Sequence, residues 1–241
     1  VTLDDYVQYG LRKGITISKE QLHSFEEHID SEQLYQRCLR KLSLKDRTIY
    51  EMRKWLKETE LADYQEVNVL IDKLVKKGYL DDEKLCMEQI QALSNSLYGP
   101  KQIISKLKQR GIKEDCILAC MEQSKLKEYE YALAYATKTL KQNQKSSVTK
   151  TKNTIRNKLM TRGYSNSTIE KVVSELDYSS NKENEDVLLE QLIKKAIKRY
   201  ERKYRGYDLK TRIYRYCLTQ GFHGEDISAY MDRMEWIYDE N

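Results

Sequence analysis

One proline in 241 residues leaves almost nothing to interrupt a helix from within. Glycine is scarce as well, with nine in the chain, and the two shortages together fit a helical protein with much solvated surface. Long apolar runs are missing. None approaches the ~20 residues needed to span a bilayer, and the acidic opening Val1-Thr2-Leu3-Asp4-Asp5 lacks the apolar core of a secretory leader. The expectation is a soluble, cytoplasmic protein without a membrane partner, whose numbering, lacking an initiator Met, starts inside a longer product. Apolar residues make up 39% of the chain and charged ones 34%, enough for cores but only thin ones. The formal net charge of +5 is mild, so its distribution matters more than its sum.

The machinery of catalysis is also absent. No Gly-rich phosphate loop of the Walker type, no Ser-His-Asp or Cys-His arrangement and no carboxylate pair with a poised partner occurs. Asp81 and Asp82 are explained by capping and by the positive end of a helix dipole. The chain is expected not to be an enzyme. The cysteines (Cys38, Cys86, Cys116, Cys120, Cys217) are odd in number and mostly at apolar helical positions, as in a reducing cytosol. Cys116 and Cys120, four apart on one expected helix, could share a ligand. Zinc, however, asks for about four ligands, and no His or second Cys pair lies near them in sequence. His23, His28 and His223 show no metal spacing with them either. No metal and no cofactor are expected.

What the sequence does have is an internal repeat. Lys106 to Ile112, Lys158 to Tyr164 and Tyr216 to Phe222 each run from an apolar helix end through a polar pair to a Gly and a large apolar residue. The Gly suits the left-handed position that stops a helix, and the residue after it can fold back on the last turn. Before each Gly stand Ile103 and Leu107, Ile155 and Leu159, Ile213 and Cys217, forming one apolar stripe. After each come Ile117, Cys120 and Met121; Ile169, Val172 and Val173; Ile227, Tyr230 and Met231. These mark a second amphipathic helix, with Asp115, Ser165 or Ser167, and Asp226 as candidate caps. A degenerate copy runs through Met52, Leu56, Glu60 and Leu61, then Val67, Leu70 and Ile71, with Glu60 in the glycine's place. Upstream lies a third helix, stepping through Cys86, Ile90, Leu93 and Leu97; Tyr129, Leu133, Ala136 and Leu140; Leu189, Ile193, Ala196 and Tyr200.

The expected fold is therefore all-α, an elongated, curved array of tandem three-helix repeats of roughly 50 residues, each stabilised by its neighbours. Its divisions are an N-terminal segment over 1–32, repeats over 33–80, 81–125 and 126–178, and a C-terminal repeat over 183–241. The glycine-punctuated start from Tyr6 to Gly14 reads as extended, and Ser18 to Asp30 as a capped helix. Gln142–Ser147 and Ser179–Glu185 read as flexible linkers.

At this point a family resemblance enters. Leu42-Ser43-Leu44-Lys45-Asp46-Arg47-Thr48 with Glu51 to Leu56 resembles the first repeat of RecX proteins. Gly78-Tyr79-Leu80-Asp81-Asp82 is similar to that family's junction of a glycine turn, a large residue, Leu and two Asp. Tyr98-Gly99-Pro100 leading to Arg110-Gly111-Ile112 resembles its second repeat, and Tyr9 to Gly14 the segment before the repeats in long members. The likeness spans nearly the whole chain and is strongest from Leu34 to Met121. Glu60 and Cys86 depart from the pattern. The resemblance implies a regulator of RecA, the bacterial recombinase, acting in DNA repair, recombination and the SOS response. Such a regulator lodges in the groove of RecA filaments on single-stranded DNA and suppresses ATP hydrolysis and strand exchange.

Charge supplies a candidate surface. From Lys141 to Arg162 the cations Lys150, Lys152, Arg156, Lys158 and Arg162 stand without an acid. From Lys194 to Arg215 lie Lys198, Arg199, Arg202, Lys203, Arg205, Lys210, Arg212 and Arg215 against Glu201 and Asp208. The N-terminal stretch is acidic instead, with Glu26, Glu27, Asp30 and Glu32. On one helix Lys198, Arg202 and Arg205 would share a face, with Tyr200, Tyr204 and Tyr207 interleaved for stacking on bases. The plain alternative is a solvated helix face. The expected partner is a RecA filament, with single- or double-stranded DNA as a secondary contact and the protein a monomer. The competing readings are a free-standing helical DNA-binding protein acting through its basic C-terminal repeats and a general helical scaffold, whose two-helix periods fit less well.

Overall fold

The computed structural model describes residues 3–59 and 64–234, and every regular element among them is helical. A short helix α1 (Leu3–Gln8) opens the chain, where an extended segment was expected. The long α2 (Lys19–Leu44) follows, started by a capping box in which Ser18 accepts from the Gln21 amide. Because α2 is continuous, the expected boundary between 32 and 33 falls inside it. The repeats come next: α3 (Ile49–Glu58) and α4 (Tyr64–Lys76); α5 (Asp82–Asn95), α6 (Pro100–Gln109) and α7 (Glu114–Gln123); α8 (Glu128–Gln142), α9 (Val148–Thr161) and α10 (Asn166–Glu175). A short α11 (Ser179–Glu183) leads to α12 (Glu185–Tyr200), α13 (Gly206–Thr219) and α14 (Gly224–Asp232). Glu60 and Leu61, expected at the irregular turn of the first repeat, lie outside the described residues.

Four turns close the helices ahead of the last one in each repeat or the next repeat's first. Gly78, Gly111, Gly163 and Gly221 all have φ between +74° and +85°. In each, the glycine amide bonds a carbonyl three residues back, and the next amide reaches five back, as Ile112 to Leu107 and Tyr164 to Leu159. The residue after the glycine is buried in three of these turns, as Ile112, Tyr164 and Phe222. At Gly78 the exposed Tyr79 passes that role on to Leu80. The stripes are buried as expected: Ile103, Ile155 and Ile213 are fully enclosed, and so are Leu107, Leu159 and Cys217.

Several local expectations need correcting. The turn after α5 copies the glycine pattern without a glycine, with Leu97 at φ 60°, so Leu97 lies beyond the helix it was assigned to. On α8 the fully buried face is Ala132, Ala136 and Thr139, while Tyr129, Leu133 and Leu140 only flank the core. Counted from the helix start, Ala132 therefore matches Leu189 and Cys86, and the stripe read from the larger side chains is out of register. The N-caps of α7 and α14 are Lys113 and His223, neither bonding through its side chain; Asp115 and Asp226 sit inside the first turns, where the helix dipole favours acids. Ser165 caps α10.

The expected linker at Ser179–Glu185 is instead α11 and the start of α12. Asn181 is buried there, its amide donating to Asn143 O (3.1 Å), Ser146 O (2.9 Å) and Thr151 Oγ1 (3.3 Å). That one side chain also ties down the other expected linker, after Gln142. A segment rich in Ser, Asn, Lys and Glu looks solvated in composition, and a single well-satisfied amide overrides it.

The chain forms two compact units, Val1–Ala92 with Ile104–Leu126, and Leu93–Ile103 with Lys127–Asn241. The first holds a core of Leu34, Tyr35, Cys38, Met52, Leu56, Ile71 and Leu74. The second holds one core around Ile155, Tyr164, Ile169 and Val172 and another around Leu189, Ile193, Ile213, Phe222 and Ile227.

Candidate functional site

Within each unit, consecutive repeats meet at a joint of constant design. The residue capping the middle helix of one repeat touches the glycine turn of the next. In the first unit, Thr48 Oγ1 accepts from the Glu51 amide and donates to Arg110 O at 2.7 Å. In the second, Ser147 Oγ accepts from the Lys150 amide and donates to Gln220 O at 2.8 Å. At the equivalent Gly99 there is no hydroxyl; the backbone amide itself donates to Arg162 O at 2.8 Å. A Cβ on Gly99 would lie 2.5 Å from the backbone of Gly163, so only glycine permits this approach.

The next residue completes the pattern. The Ile49 amide donates to Asp82 Oδ1 (2.8 Å) and the Val148 amide to Glu185 Oε1 (3.1 Å), each acid being the first residue of the following repeat. At the third joint that position is Pro100, which has no N–H to satisfy. The matching acid, Glu128, accepts from the Ser165 amide instead, at 2.7 Å. Asp82 is thus more than a dipole partner, and the capping bond to the Lys84 amide comes from Asp81. Burial raises the Asp82 carboxyl above its ordinary value, with the charges of Asp81 and Glu51 adding to this against the Ile49 amide and Arg110.

The side chain just before the turn glycine also reaches back. Arg110 grips Glu51 with Nε to Oε1 and Nη2 to Oε2, both at 2.9 Å. Gln220 and Lys150 form the corresponding pair. Arg162 sends Nη1 to Ser96 O (3.0 Å) and lies over Tyr98 and Tyr135 at 4.3 and 4.8 Å.

These joints decide what the first basic set can do. Lys150 and Arg162 are joint residues. Arg156 is held by Glu170 through three hydrogen bonds of 2.9 to 3.2 Å, and Lys152 lies 5.0 Å over Tyr178. Lys158 is half-buried on α9. The structure places Lys150, Lys152, Arg156 and Arg162 within the fold's own contacts.

The second set differs. The helix expected to carry Lys198, Arg202 and Arg205 on one face ends at Tyr200, where the Lys203 and Tyr204 amides both fold back to Tyr200 O. Arg202 and Lys203 therefore sit in the connection to α13, and Arg205 caps α13 with its guanidinium on Glu201 O. Tyr200 and Tyr204 pack edge to face, Tyr200 also against Tyr216, with Arg212 3.8 Å over Tyr204. Neither ring is free for bases; Tyr207, 80% exposed, is. Lys198, Arg199, Arg202, Lys203 and Arg215 are exposed, Arg199 lying 5.5 Å over Tyr200, and Lys210 is half-buried. Arg212 and Arg215 line a surface groove with Tyr207 and Thr211. Of the acidic N-terminal stretch, Glu32 pairs with Lys73 at 3.7 Å, while the side chains of Glu26, Glu27 and Asp30 lie outside the described ones.

No family model matches the chain. Individual proteins do. The regulatory protein RecX of Streptococcus sanguinis is 28% identical over 233 residues, covering 95% of this chain and 88% of its own. That of Bacillus licheniformis is 28% identical over 235 residues, covering 96% and 88%. A crystal structure of regulatory protein RecX superposes with a TM-score of 0.63 at 25% identity, over 73% of this chain and 88% of that one. The chain is similar to RecX proteins over nearly its whole length and shares their fold. A second crystal structure, RecX from Lactobacillus salivarius, shares the fold with a TM-score of 0.57 at 24% identity. The RecX resemblance read from the turn and junction motifs is thereby confirmed. So is the all-helical repeat fold, and no described helix is long and apolar enough to cross a membrane.

One feature of this chain escaped the sequence. Cys86, remote from Cys116 and Cys120 along the chain, joins them in space, the three sulfurs lying within 4.8 Å of one another. Burial pushes the Cys116 thiol up to about 11, with Cys120 adding to the rise, and pushes Cys86 up further for the same reasons. Neither Cys86 nor Cys116 is therefore an activated nucleophile at neutral pH. The signal was present but weak: both elements start at recognisable places, so Cys86 one turn into α5 could have been set against the face of α7.

Proposed function

We propose that this protein binds RecA filaments on single-stranded DNA and suppresses their ATP hydrolysis and strand exchange, as a cytoplasmic monomer with no catalysis of its own. Similarity to regulatory proteins named RecX supports the choice of partner. The observation that carries the surface is the cationic crest where α12 meets α13. Among the described residues, Lys198, Arg202, Lys203 and Arg215 are exposed and none is in an ion pair, with Tyr207 beside them. Of the first basic set, by contrast, Lys150, Lys152, Arg156 and Arg162 are engaged in joints and intramolecular contacts.

A nucleoprotein filament is a repeating anionic target, and a rigid cationic crest meets it with little ordering entropy to overcome. Ring contacts of Tyr200 with Tyr204 and Tyr216, and Arg212 stacked over Tyr204, tie α12 to the connection and to α13 and support a rigid crest. The joints hold successive repeats in fixed register inside each unit, which a regular partner requires.

Cosedimentation tests the reading. The protein is spun with RecA filaments assembled on single-stranded DNA, and with the same DNA alone, across a salt series. Binding to filaments at salt concentrations that strip the protein from bare DNA supports the proposal. Equal binding to both would favour the helical DNA-binding alternative and overturn it.

A further inference from the structure

The three-cysteine cluster asks for an explanation that packing alone does not give. Cys116 and Cys120 stand one turn apart on α7, and Cys86 faces them from the second turn of α5. Cys86 and Cys120 are fully buried; Cys116 is partly open to solvent. Cys120 makes a weak contact with Glu83 O at 3.8 Å, and among the described residues no disulfide joins any of the cysteines.

The repeats provide an internal control. Counted from the helix starts and turn glycines, the same three places hold Ala132, Thr168 and Val172 in one repeat and Leu189, Asp226 and Tyr230 in another. The scaffold accepts hydrocarbon, hydroxyl or acid there and does not require sulfur. The other two cysteines, Cys38 and Cys217, lie in separate cores, neither of which holds a second cysteine among the described residues. Convergence is confined to one repeat.

The spacing suits coordination. With metal–sulfur bonds of about 2.3 Å, tetrahedral geometry places sulfurs about 3.8 Å apart. The observed limit of 4.8 Å is about 1 Å wider than that spacing, a gap on the scale of a cysteine side-chain rotation. We propose that Cys86, Cys116 and Cys120 form a three-thiolate site for a soft, thiophilic d10 metal ion such as Zn2+, Cd2+ or Cu+. Soft thiolates select this class. Cys116 is the entry side and leaves room for solvent as a further ligand. On binding, each thiol gives its proton to the buffer and each sulfur donates a lone pair to the metal; a divalent ion then carries a net charge of minus one with its three thiolates. Asp82 and Glu83, close enough to act on Cys116 electrostatically, favour a cation over an anionic thiol reagent.

Cadmium is the probe. The full chain, reduced with a phosphine that does not bind metal, is titrated with Cd2+. Thiolate-to-cadmium charge-transfer absorption is followed, with stoichiometry read by native mass spectrometry. One Cd2+ per chain is expected, with a higher unfolding temperature for the loaded protein. Cys116→Ser, at the half-exposed position, should keep the helical circular dichroism, lose about a third of the absorption and bind at least tenfold more weakly. Cys120→Ser should do the same or worse, and Cys217→Ala should leave binding unchanged. Absence of one-to-one binding by the wild-type chain, or absorption unaffected by Cys116→Ser, would overturn the proposal; if Cys120→Ser does not fold, the Cys116→Ser result decides.

Discussion

Arg110 and Glu51 meet fork to fork across the joint between the first two repeats, with both contacts at 2.9 Å and both side chains largely buried (19% and 26% exposed). Glu51 also accepts from the Thr48 amide at 3.1 Å. One carboxylate therefore caps its own helix and holds the next repeat. Burial pushes the Glu51 carboxyl up, but the hydrogen bonds from Arg110 and Thr48 and the charges of Arg110 and Lys45 outweigh it, leaving it below the usual range.

The sign of the pH effect follows. A carboxyl depressed in the folded state adds stability that is present above its unfolded value and lost as pH falls through the folded one. Glu51→Gln should destabilise the first unit at neutral pH by roughly 1–3 kcal/mol, and the gap from wild type should shrink in acid, below the ordinary carboxylate range. Urea unfolding over a pH series checks this; a gap independent of pH would refute it. Asp82 is shifted the opposite way, upward, so its ionised form is the disfavoured one in the fold. Asp82→Asn, which can still accept from the Ile49 amide, should be near neutral at pH 7, whereas Asp82→Ala orphans that amide and should cost about 1–2 kcal/mol.

Two glycines separate backbone strain from crowding. Gly78 and Gly163 share the left-handed conformation, at φ +74° and +85°. Around Gly78 a Cβ meets nothing within 4 Å, but at Gly163 it would lie 2.4 Å from the Gln102 amide nitrogen. Gly78→Ala should therefore cost only the conformational penalty of about 1–2 kcal/mol. Gly163→Ala should cost clearly more, because the joint must open. Thermal unfolding of the two variants side by side gives the comparison, and equal losses would contradict the close approach.

Asn181 offers a test of the short helix between the last two repeats. Its amide nitrogen serves two carbonyls and the Thr151 hydroxyl. Asn181→Ala should leave those acceptors buried and unmatched, destabilising the second unit by about 2–3 kcal/mol. Asn181→Ser, able to satisfy one of them, should recover part of the loss. If both variants unfold like wild type by circular dichroism, α11 is not the tie described.

The basic residues divide into two experimental classes. Lys198→Glu, Arg202→Glu and Lys203→Glu together should leave stability nearly unchanged and weaken filament binding. If these cations meet phosphates, the slope of log affinity against log salt should drop by about two to three. Arg162→Ala should do the reverse, losing a carbonyl bond and two ring contacts for about 1–3 kcal/mol of stability. Denaturation and a salt series on the two variants distinguish them.

How much was legible in the sequence can be argued from such residues. The stripes through Ile155, Leu159 and Ile169, and the glycine stops, follow from helical period and backbone sterics, which are local properties. The joints were not legible. Thr48 looks like an ordinary cap until Arg110 O lies 2.7 Å from it, and Pro100 explains the altered bond of Glu128 only once the two repeats are seen together. The candidate surface was legible only as charge, for the same reason. Charge is visible in a sequence, but whether Arg156 faces a partner or Glu170 is a tertiary fact. The face assigned to Lys198, Arg202 and Arg205 failed because α12 stops at Tyr200, where tyrosine packing overrides a favourable helical composition.

The central claim is that this chain regulates RecA by acting on the filament, and it is tested most directly by single-strand-dependent ATP hydrolysis by RecA. The protein is added from well below one copy per RecA upward, with the DNA fully covered by RecA. The account predicts strong inhibition at substoichiometric ratios, relieved by the triple reversal at Lys198, Arg202 and Lys203. Unchanged hydrolysis at every ratio, or inhibition only once the protein is sufficient to saturate the DNA itself, would contradict it.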